Sequence, residues 1–76
     1  ENGLKMREIE IREGEEFIKL GQLLKKADMV SSGADAKMVI EEGQVLVNGE
    51  AELRRGRKLY DGDQVTFSGE TVKVIR

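Results

Sequence analysis

The sequence of 76 residues contains no cysteine, no histidine and no proline. Without cysteine, a disulfide framework and a thiolate metal site are excluded. Without histidine, the commonest general base and the commonest metal ligand are missing together, and no serine or threonine has a histidine to activate it. These absences argue against an enzyme, and we expect no catalytic residue, no metal site and no cofactor.

Long apolar stretches are also absent. No run approaches the roughly 20 residues that span a bilayer, so a membrane partner is not expected. No segment joins a basic start, an apolar middle and a small-residue cleavage site, so we expect no signal peptide and predict a cytoplasmic protein. A chain of 76 residues buries only about 60% of the surface that its unfolded form exposes. This leaves little room for an enclosed cavity and a small-molecule substrate.

The sequence predicts one domain over residues 6–76. No proline, repeat or low-complexity segment divides this range. The first five residues, ENGLK, show no periodicity and precede a methionine. We therefore interpret residues 1–5 as a tag remnant or a disordered tail.

A short strand and a helix are predicted in the first third of the chain. Between residues 6 and 12, Ile9 and Ile11 alternate with charged residues, which is typical of a half-buried strand. Apolar residues then follow the helical spacing i, i+3, i+4 and i+7 at Leu20, Leu23, Leu24 and Ala27. Gly21 lies inside this helix at a cost of about 1 kcal/mol relative to alanine. Either a neighbour packs closely there or something approaches the backbone.

A second helix is predicted between Ser32 and Gly43. Ser32, with Asp35 three residues later, resembles an N-terminal cap, and Gly43 stands where a left-handed residue would end the helix. Its apolar stripe consists of Ala36, Val39 and Ile40. Free N–H groups at its start would favour an anion and Lys37 would add a charge, although Asp35 would repel a phosphate. The alternative is a plain capped helix with a Lys37–Glu41 ion pair.

The rest of the chain is strand-like. Asn48-Gly49, between alternating segments, is the strongest short-range signal for a two-residue hairpin turn. DGD at 61–63 and SGE at 68–70 mark further turns, and Val72 and Val74 close the alternation. The predicted order is strand, helix, helix, hairpin, basic loop, hairpin, which indicates an α+β fold.

Four cations are concentrated in the stretch RRGRK, at Arg54, Arg55, Arg57 and Lys58. The net charge is −2, but six acids meet three cations before Phe17, whereas ten cations meet nine acids from there onward. Because screening limits exposed charges to a reach of about 10 Å, a local basic face can act despite a slightly acidic total. Arginine forks suit phosphate oxygens, so the cluster is a candidate anion-binding loop.

The alternative is a solvated charged loop whose cations pair loosely with Glu50, Glu52 and Asp61. Because the loop is not part of the apolar stripes, we expect the fold to survive replacement of all four cations by alanine. Tyr60 follows the cluster. It is suited to stacking on an exposed base, whereas a tyrosine beside a strand is more often partly packed in the core.

The order of these pieces resembles a known family. SSGADAKMVIEEGQVLVNGE followed by RRGRKLYDGDQV is similar to the RNA-binding domain of the ribosomal small-subunit protein four type, known as the alpha-L motif. The resemblance is to its small stand-alone bacterial members of the YaaA and YbcJ kind, and it runs from about Ile18 to Ile75. It implies a two-helix unit packed on a small, mostly antiparallel sheet, with RNA held across the second helix and the following loop.

Two positions depart from the family pattern. Gly33 stands where the broad family often has an arginine after the serine. Lys19-Leu20-Gly21 replaces a common arginine, leucine, aspartate sequence. These differences indicate the stand-alone subgroup rather than a ribosomal protein proper.

The resemblance implies a non-catalytic protein that binds structured RNA, either ribosomal, transfer or another ribosome-associated RNA, with ribosomal particles as further partners. The candidate RNA-binding residues are Lys19, Lys25, Lys26, Ser32, Lys37, Asn48, Arg54, Arg55, Arg57, Lys58 and Tyr60. With so few aromatic residues, recognition of RNA shape is favoured over stacking along a single strand. The alternative function is a protein interaction module that uses a sheet edge or the charged loop.

Overall fold

Alternating apolar residues form the strands of a five-stranded sheet in the computed structural model, which describes residues 6–76. Residues 1–5, interpreted above as a tag remnant or a disordered tail, lie outside the described residues. The elements are, in chain order, β1 (Arg7–Glu10), β2 (Ile18–Lys19), α1 (Leu20–Lys26), α2 (Gly33–Glu41), β3 (Val45–Val47), β4 (Glu50–Ala51), β5 (Lys58–Leu59), β6 (Gln64–Phe67) and β7 (Glu70–Ile75).

Two tight turns set the register of the sheet, whose strand order is β1-β7-β6-β3-β4. Asn48 and Gly49 have φ angles of 52° and 87°, and Ser68 and Gly69 have φ angles of 54° and 81°. These left-handed values are those of two-residue hairpin turns, whose twist matches that of the flanking strands. Both turns lie where the sequence predicts them. The first joins the antiparallel pair β3–β4, the second joins the antiparallel pair β6–β7, and β3 also pairs antiparallel with β6.

Strand β1 is the one parallel member of the five-stranded sheet. It pairs with β7 so that Ile9 lies opposite Val74. The strand predicted over residues 6–12 is confirmed, with Ile9 and Ile11 both buried. Its partner was not predicted, because a parallel neighbour needs a long connection and leaves no local signal in the sequence.

The two helices pack on one face of the sheet. Leu20, Leu23 and Leu24 of α1 and Ile40 of α2 are fully buried and share one hydrophobic cluster with the inward valines of the strands. The predicted helical stripes and the α+β class, with two helices on a mostly antiparallel sheet, are confirmed. Within residues 6–76, neither helix is long and apolar enough to cross a membrane.

The second helix begins and ends as its sequence predicts. The Ser32 hydroxyl accepts a hydrogen bond from the Asp35 N–H at 3.1 Å, and Gly43 follows the helix with a φ of 77°. The Asp35 carboxylate does not return to the cap but accepts a hydrogen bond from the Ser31 hydroxyl at 2.8 Å. The cap is therefore made by the serine side chain alone.

Strands β2 and β5 form a separate antiparallel ribbon, in which Ile18 lies opposite Leu59 and Lys19 opposite Lys58. Ile18 and Leu59 face the core and are buried. The sequence did not predict this ribbon, because two residues per strand are too few to show alternation. Its consequence is that the basic loop is held against the start of α1.

Candidate nucleic-acid interface

The basic loop, residues 54–58, is held by one buried acid. Glu52 is 7% exposed, and its carboxylate accepts hydrogen bonds from Arg54 Nε at 2.9 Å and from Arg57 Nη1 at 2.8 Å. Arg54 Nη2 and the Arg54 backbone N–H also donate to it, at 3.1 Å and 3.0 Å. Arg54 and Arg57 thus form an anchored pair.

The anchored pair stabilises the ionised form of Glu52. The hydrogen bonds from Arg54 and Arg57 hold the pKa of Glu52 well below its usual range, because they favour the carboxylate more than burial disfavours it. Without both arginines, the carboxylate would lose its charge-assisted hydrogen bonds, which is destabilising. The expectation that the fold survives replacement of all four cations stays a prediction, and these hydrogen bonds lead us to expect a loss of stability at the anchored pair.

Arg55 and Lys58 form an unanchored pair. Both are exposed, and within residues 6–76 neither makes an ion pair. Glu50 and Asp61, the other acids considered as partners of the loop, make no ion pair in that range either. The loop therefore contains two arginines that maintain its shape and two cations whose charge is available to a ligand.

The basic loop packs closely on α1 at Gly21. The Gly21 N–H donates to the Arg55 carbonyl oxygen at 3.0 Å, and the Leu20 N–H donates to the Arg57 carbonyl oxygen at 2.9 Å. A Cβ atom at Gly21 would lie 2.7 Å from Arg55 Cγ. Of the two explanations that the sequence left open for this glycine, the structure shows close packing by a neighbour. The glycine lets the Arg55 side chain lie along the helix.

A shallow groove opens between α1, the start of α2 and the basic loop. Its lining includes three cations, Lys19, Lys25 and Arg55, and no acid. The other lining residues are Gly21, Gln22, Gly33, Ala36 and Gly56. Most of these side chains are small or absent, so a ligand backbone can approach closely. Positive charge without an acid beside it makes the groove suited to a polyanion.

The first turn of α2 borders this groove through Gly33 and Ala36. Helix N-termini favour anions because the first N–H groups lack partners within the helix. Ser32 lies immediately before Gly33 and satisfies the Asp35 N–H, so its own hydroxyl serves the cap. The part of α2 that lies at the groove is therefore its first turn.

The outer face of the β2–β5 ribbon continues the groove. Phe17 and Tyr60 lie one position beyond the paired residues, and their ring centroids are 6.0 Å apart at an interplanar angle of 56°. Lys58 Nζ lies 4.9 Å from the centroid of the Phe17 ring. Lys19 lies opposite Lys58 in the ribbon and also lines the groove, so it joins the two surfaces.

Two predicted lysines lie outside the groove lining. Lys26 follows Lys25 on α1, and its Nζ donates a hydrogen bond to the Glu10 carbonyl oxygen of β1. Lys37 is exposed on α2. In the part of the chain that the structure describes, Lys37 makes no ion pair with Glu41, so the pair considered from the sequence is absent.

Asn48 stabilises a turn. Its Nδ2 donates to Asp63 Oδ1 at 3.1 Å, and its Oδ1 accepts from the Gln64 N–H at 3.0 Å. These bonds tie the β3–β4 turn to the start of β6. Both polar atoms of the Asn48 side chain are therefore engaged within the protein.

Sequence reasoning missed three residues of this region. Glu52 was considered only as a loose partner of the loop, because nothing local distinguishes a buried acid in a charged stretch. Gln22 lines the groove, and its Oε1 accepts from the Lys19 N–H at 3.4 Å; its position three residues after the cap was the available signal. Phe17 gave no signal, since its neighbour Tyr60 lies across a ribbon that the sequence does not reveal.

The chemistry of the region is that of anion binding. Within residues 6–76, no three side chains of the metal-ligating types lie together. The groove provides ammonium and guanidinium groups around small side chains, and the ribbon adds two lysines and two aromatic rings. This arrangement can hold phosphate groups by charge-assisted hydrogen bonds.

Comparisons with known proteins agree with this geometry. The S4 domain family matches residues 9–75. The chain is similar to the probable ribosome maturation protein RlbA of Bacillus subtilis (strain 168), with 56% identity over 54 residues, covering 71% of this chain and 76% of the relative. It is also similar to YbcJ of Escherichia coli (strain K12), whose name marks it provisionally as RNA-binding, with 43% identity over 58 residues, covering 76% of this chain and 83% of YbcJ.

A solved structure supports the same assignment. The solution structure of Escherichia coli YbcJ matches with a TM-score of 0.70 and 36% identity, over 95% of this chain and 90% of that one. It is described as revealing an alpha-L motif involved in RNA binding. The family resemblance identified from the sequence is confirmed by these matches.

Proposed function

The chain belongs to the S4 domain family, and from this premise we propose that it is a non-catalytic protein that binds structured RNA through one domain, residues 6–76. The target we propose is ribosomal RNA or a ribosome-associated RNA in the cytoplasm. Support for a ribosomal target comes from the Bacillus subtilis relative, which is named as a ribosome maturation protein.

One observation carries the proposal: the groove is lined by Lys19, Lys25 and Arg55 without any acid. Within residues 6–76 none of these three cations makes an ion pair, so no internal pair has to be broken before they bind an anionic partner. Phosphates of an RNA backbone provide such partners at regular intervals. Contacts of this kind position the protein on RNA without reading its sequence, which suits recognition of a folded RNA by shape.

In this proposal, the remaining candidate residues either extend the binding surface, maintain its shape or lie at its edge. Lys58 and Tyr60 extend the surface along the ribbon. The anchored pair, Arg54 and Arg57, fixes the loop, and the Arg54 side chain, 74% exposed, presents its remaining N–H groups to RNA. Ser32 shapes the start of α2. At the periphery we place Lys26, Lys37 and Asn48.

The test is fluorescence anisotropy with folded ribosomal RNA fragments over a salt series. Wild-type protein with about four phosphate contacts is expected to give a log–log slope of about −3. The variant K25A/R55A is expected to flatten the slope by about 1.5, because two contacts are lost. The matched control is K73A/R76A, which also removes one lysine and one arginine. Lys73 alternates with the buried valines of β7 and so faces away from the helices, and Arg76 follows β7.

Two results would contradict the proposal. If K73A/R76A flattens the slope as much as K25A/R55A, the binding is non-specific attraction and the groove is not the site. If folded wild-type protein binds none of the fragments at low salt, the alternative of a protein interaction module replaces RNA binding. A pull-down after RNase treatment would then identify the partner, because a protein contact survives loss of RNA.

A further inference from the structure

We propose that the outer face of the β2–β5 ribbon is a binding site for one unpaired nucleotide, with the base on Phe17 and Tyr60 and a phosphate on Lys19 and Lys58. The preferred RNA is then a helix interrupted by an unpaired base. This inference rests on the proposed RNA-binding function and specifies which feature of a structured RNA the protein selects.

The register of the ribbon brings these four side chains to one face. Ile18 lies opposite Leu59 and Lys19 opposite Lys58, so continuing the ladder by one position places Phe17 across from Tyr60. Alternate residues of a strand point to opposite sides. Ile18 and Leu59 are buried, so the residues on either side of them face outward. The outer face therefore carries a row of two aromatic rings beside a row of two lysines.

The aromatic row is not part of the hydrophobic core. Phe17 and Tyr60 are absent from the cluster that fills the space between sheet and helices, and Tyr60 is 48% exposed. The two rings contact each other in a tilted arrangement, at 6.0 Å and 56°. Phe17 thus contacts one side of Tyr60 on the outer face of the ribbon, and about half of Tyr60 stays exposed. A supported, exposed ring is what a stacking base requires.

The lysine row places two like charges opposite each other. Like charges directly opposite each other in an antiparallel pair are destabilising, and Lys19 and Lys58 occupy such positions. Lys58 reduces this repulsion by lying over the Phe17 ring, with 4.9 Å between Nζ and the ring centroid. A phosphate between the two lysines would remove the repulsion and leave the Phe17 ring as a neighbour of the base.

The ribbon and the groove form one continuous surface. Lys19 belongs to both, since it lines the groove beside Arg55 and faces Lys58 in the ribbon. An RNA backbone that lies in the groove therefore passes beside the aromatic row at this end. Stacking at a single position reads the presence of an unpaired base rather than its identity, because every base has an aromatic face.

The composition of the chain makes this site directly observable. The sequence contains one tyrosine and no tryptophan, so tyrosine emission of the protein reports on Tyr60 alone. The probes are an RNA hairpin with one unpaired adenosine in its stem and the same hairpin without that adenosine. Binding is measured by anisotropy with labelled RNA, and tyrosine emission is measured with unlabelled RNA at matched absorbance.

We expect the wild type to bind the bulged hairpin about 5- to 100-fold more tightly than the fully paired one, with tyrosine emission quenched by the bulged hairpin only. Tyr60→Leu is expected to bind both hairpins equally, whereas Tyr60→Phe, which keeps the ring, keeps the preference. The circular dichroism spectra of both variants verify that they are folded.

Three results decide between the possibilities. Equal binding of both hairpins by wild-type protein, with unchanged tyrosine emission, overturns the nucleotide site and leaves the proposed RNA-binding function intact. A preference for the bulged hairpin that persists in folded Tyr60→Leu also overturns it, since the preference then arises elsewhere. Failure of wild-type protein to bind either hairpin or the ribosomal fragments overturns the RNA-binding function itself.

Discussion

The anchored pair and the unanchored pair of the basic loop carry the same charge but have different roles. Arg54 and Arg57 share the buried carboxylate of Glu52, while Arg55 lies along Gly21 into the groove and Lys58 lies over Phe17. The first pair would be difficult to remove without harming the fold, and the second would be easy to remove. Neighbouring cations of one loop can therefore have different roles, and here the position of Glu52 determines which of them are neutralised.

This division has a physical cause. Four cations in five residues repel one another, and a buried carboxylate that accepts hydrogen bonds from two of them offsets that repulsion and closes the loop. The other two have different neighbours: Arg55 lies over Gly21 of α1, and Lys58 lies over the Phe17 ring. Internal neutralisation of one part leaves the charge of the other part available to a ligand. The following predictions test this difference.

The largest effect is expected from R54A/R57A. Because the Glu52 carboxylate would lose its charge-assisted hydrogen bonds to both arginines, the melting temperature is expected to fall by about 10 °C. Thermal unfolding followed by circular dichroism measures it. R55A/K58A is the control with the same change of charge, and its melting temperature is expected to stay within about 3 °C of wild type. Equal losses in the two variants would remove the distinction between the pairs.

The reverse contrast is expected in RNA binding. R55A/K58A is expected to weaken binding of a folded RNA fragment about tenfold at moderate salt and to flatten the salt slope by about 1.5, since two phosphate contacts are lost. Anisotropy measures both quantities. K73A/R76A, which removes the same charges, is expected to leave the slope unchanged. An unchanged slope in R55A/K58A would show that the unanchored pair does not contact phosphate.

The elements that the sequence predicted are those whose signals are local. Ile9 and Ile11 alternate within one strand, Asn48 and Gly49 specify a turn by themselves, and Ser32 caps a helix within three residues. Each depends on a few neighbouring side chains and on backbone geometry that those residues favour. Such features are readable without knowing what lies across the fold.

The features that were not predicted depend on distant parts of the chain. The ribbon pairs Ile18 with Leu59, 41 positions apart, and neither strand is long enough to show alternation. The burial of Glu52 depends on how the loop closes, and a sequence with several acids near four cations does not say which acid is enclosed. For the candidate surface, the sequence named the loop and the start of α2, whereas the division of the loop and the aromatic row were not predictable.

A smaller effect, confined to one contact, is expected from Gly21→Ala. The new Cβ would lie 2.7 Å from Arg55 Cγ, so the Arg55 side chain has to change its rotamer and the basic loop has to shift slightly away from α1. Alanine gains helix propensity of about 1 kcal/mol, which offsets lost packing, and the free energy of unfolding is expected to change by less than about 1 kcal/mol. The salt slope is expected to flatten by about 0.8, the value for one contact.

The matched measurement for this prediction is a double-mutant cycle with Arg55→Ala. If Gly21 acts by positioning Arg55, G21A/R55A binds RNA like R55A alone, because the contact is already lost. Additive losses would mean that the alanine disturbs the groove in another way. Urea unfolding of each variant separates a binding effect from a loss of stability.

The smallest effect is expected from the dependence of stability on pH, which tests the anchored pair alone. The pKa of Glu52 is lower in the folded protein than in the unfolded chain, so its contribution to stability is complete above the unfolded-state pKa of about 4.3. That contribution is lost as the pH falls toward the folded-state pKa. Glu52→Gln removes the titrating group while keeping the shape of the side chain.

The free energy of unfolding of wild type and of Glu52→Gln should therefore differ by a constant amount from about pH 5 to pH 7 and converge below about pH 4. Urea unfolding at a series of pH values measures the difference, in which the other carboxylates cancel because both proteins contain them. Convergence is partial at pH 3, since the hydrogen bonds of Arg54 and Arg57 keep much of the carboxylate ionised there. If the difference stays constant down to pH 3, Arg54 and Arg57 hold Glu52 by packing rather than through its charge. The anchored and unanchored pairs would then differ in how they pack and not in whether their charge is neutralised.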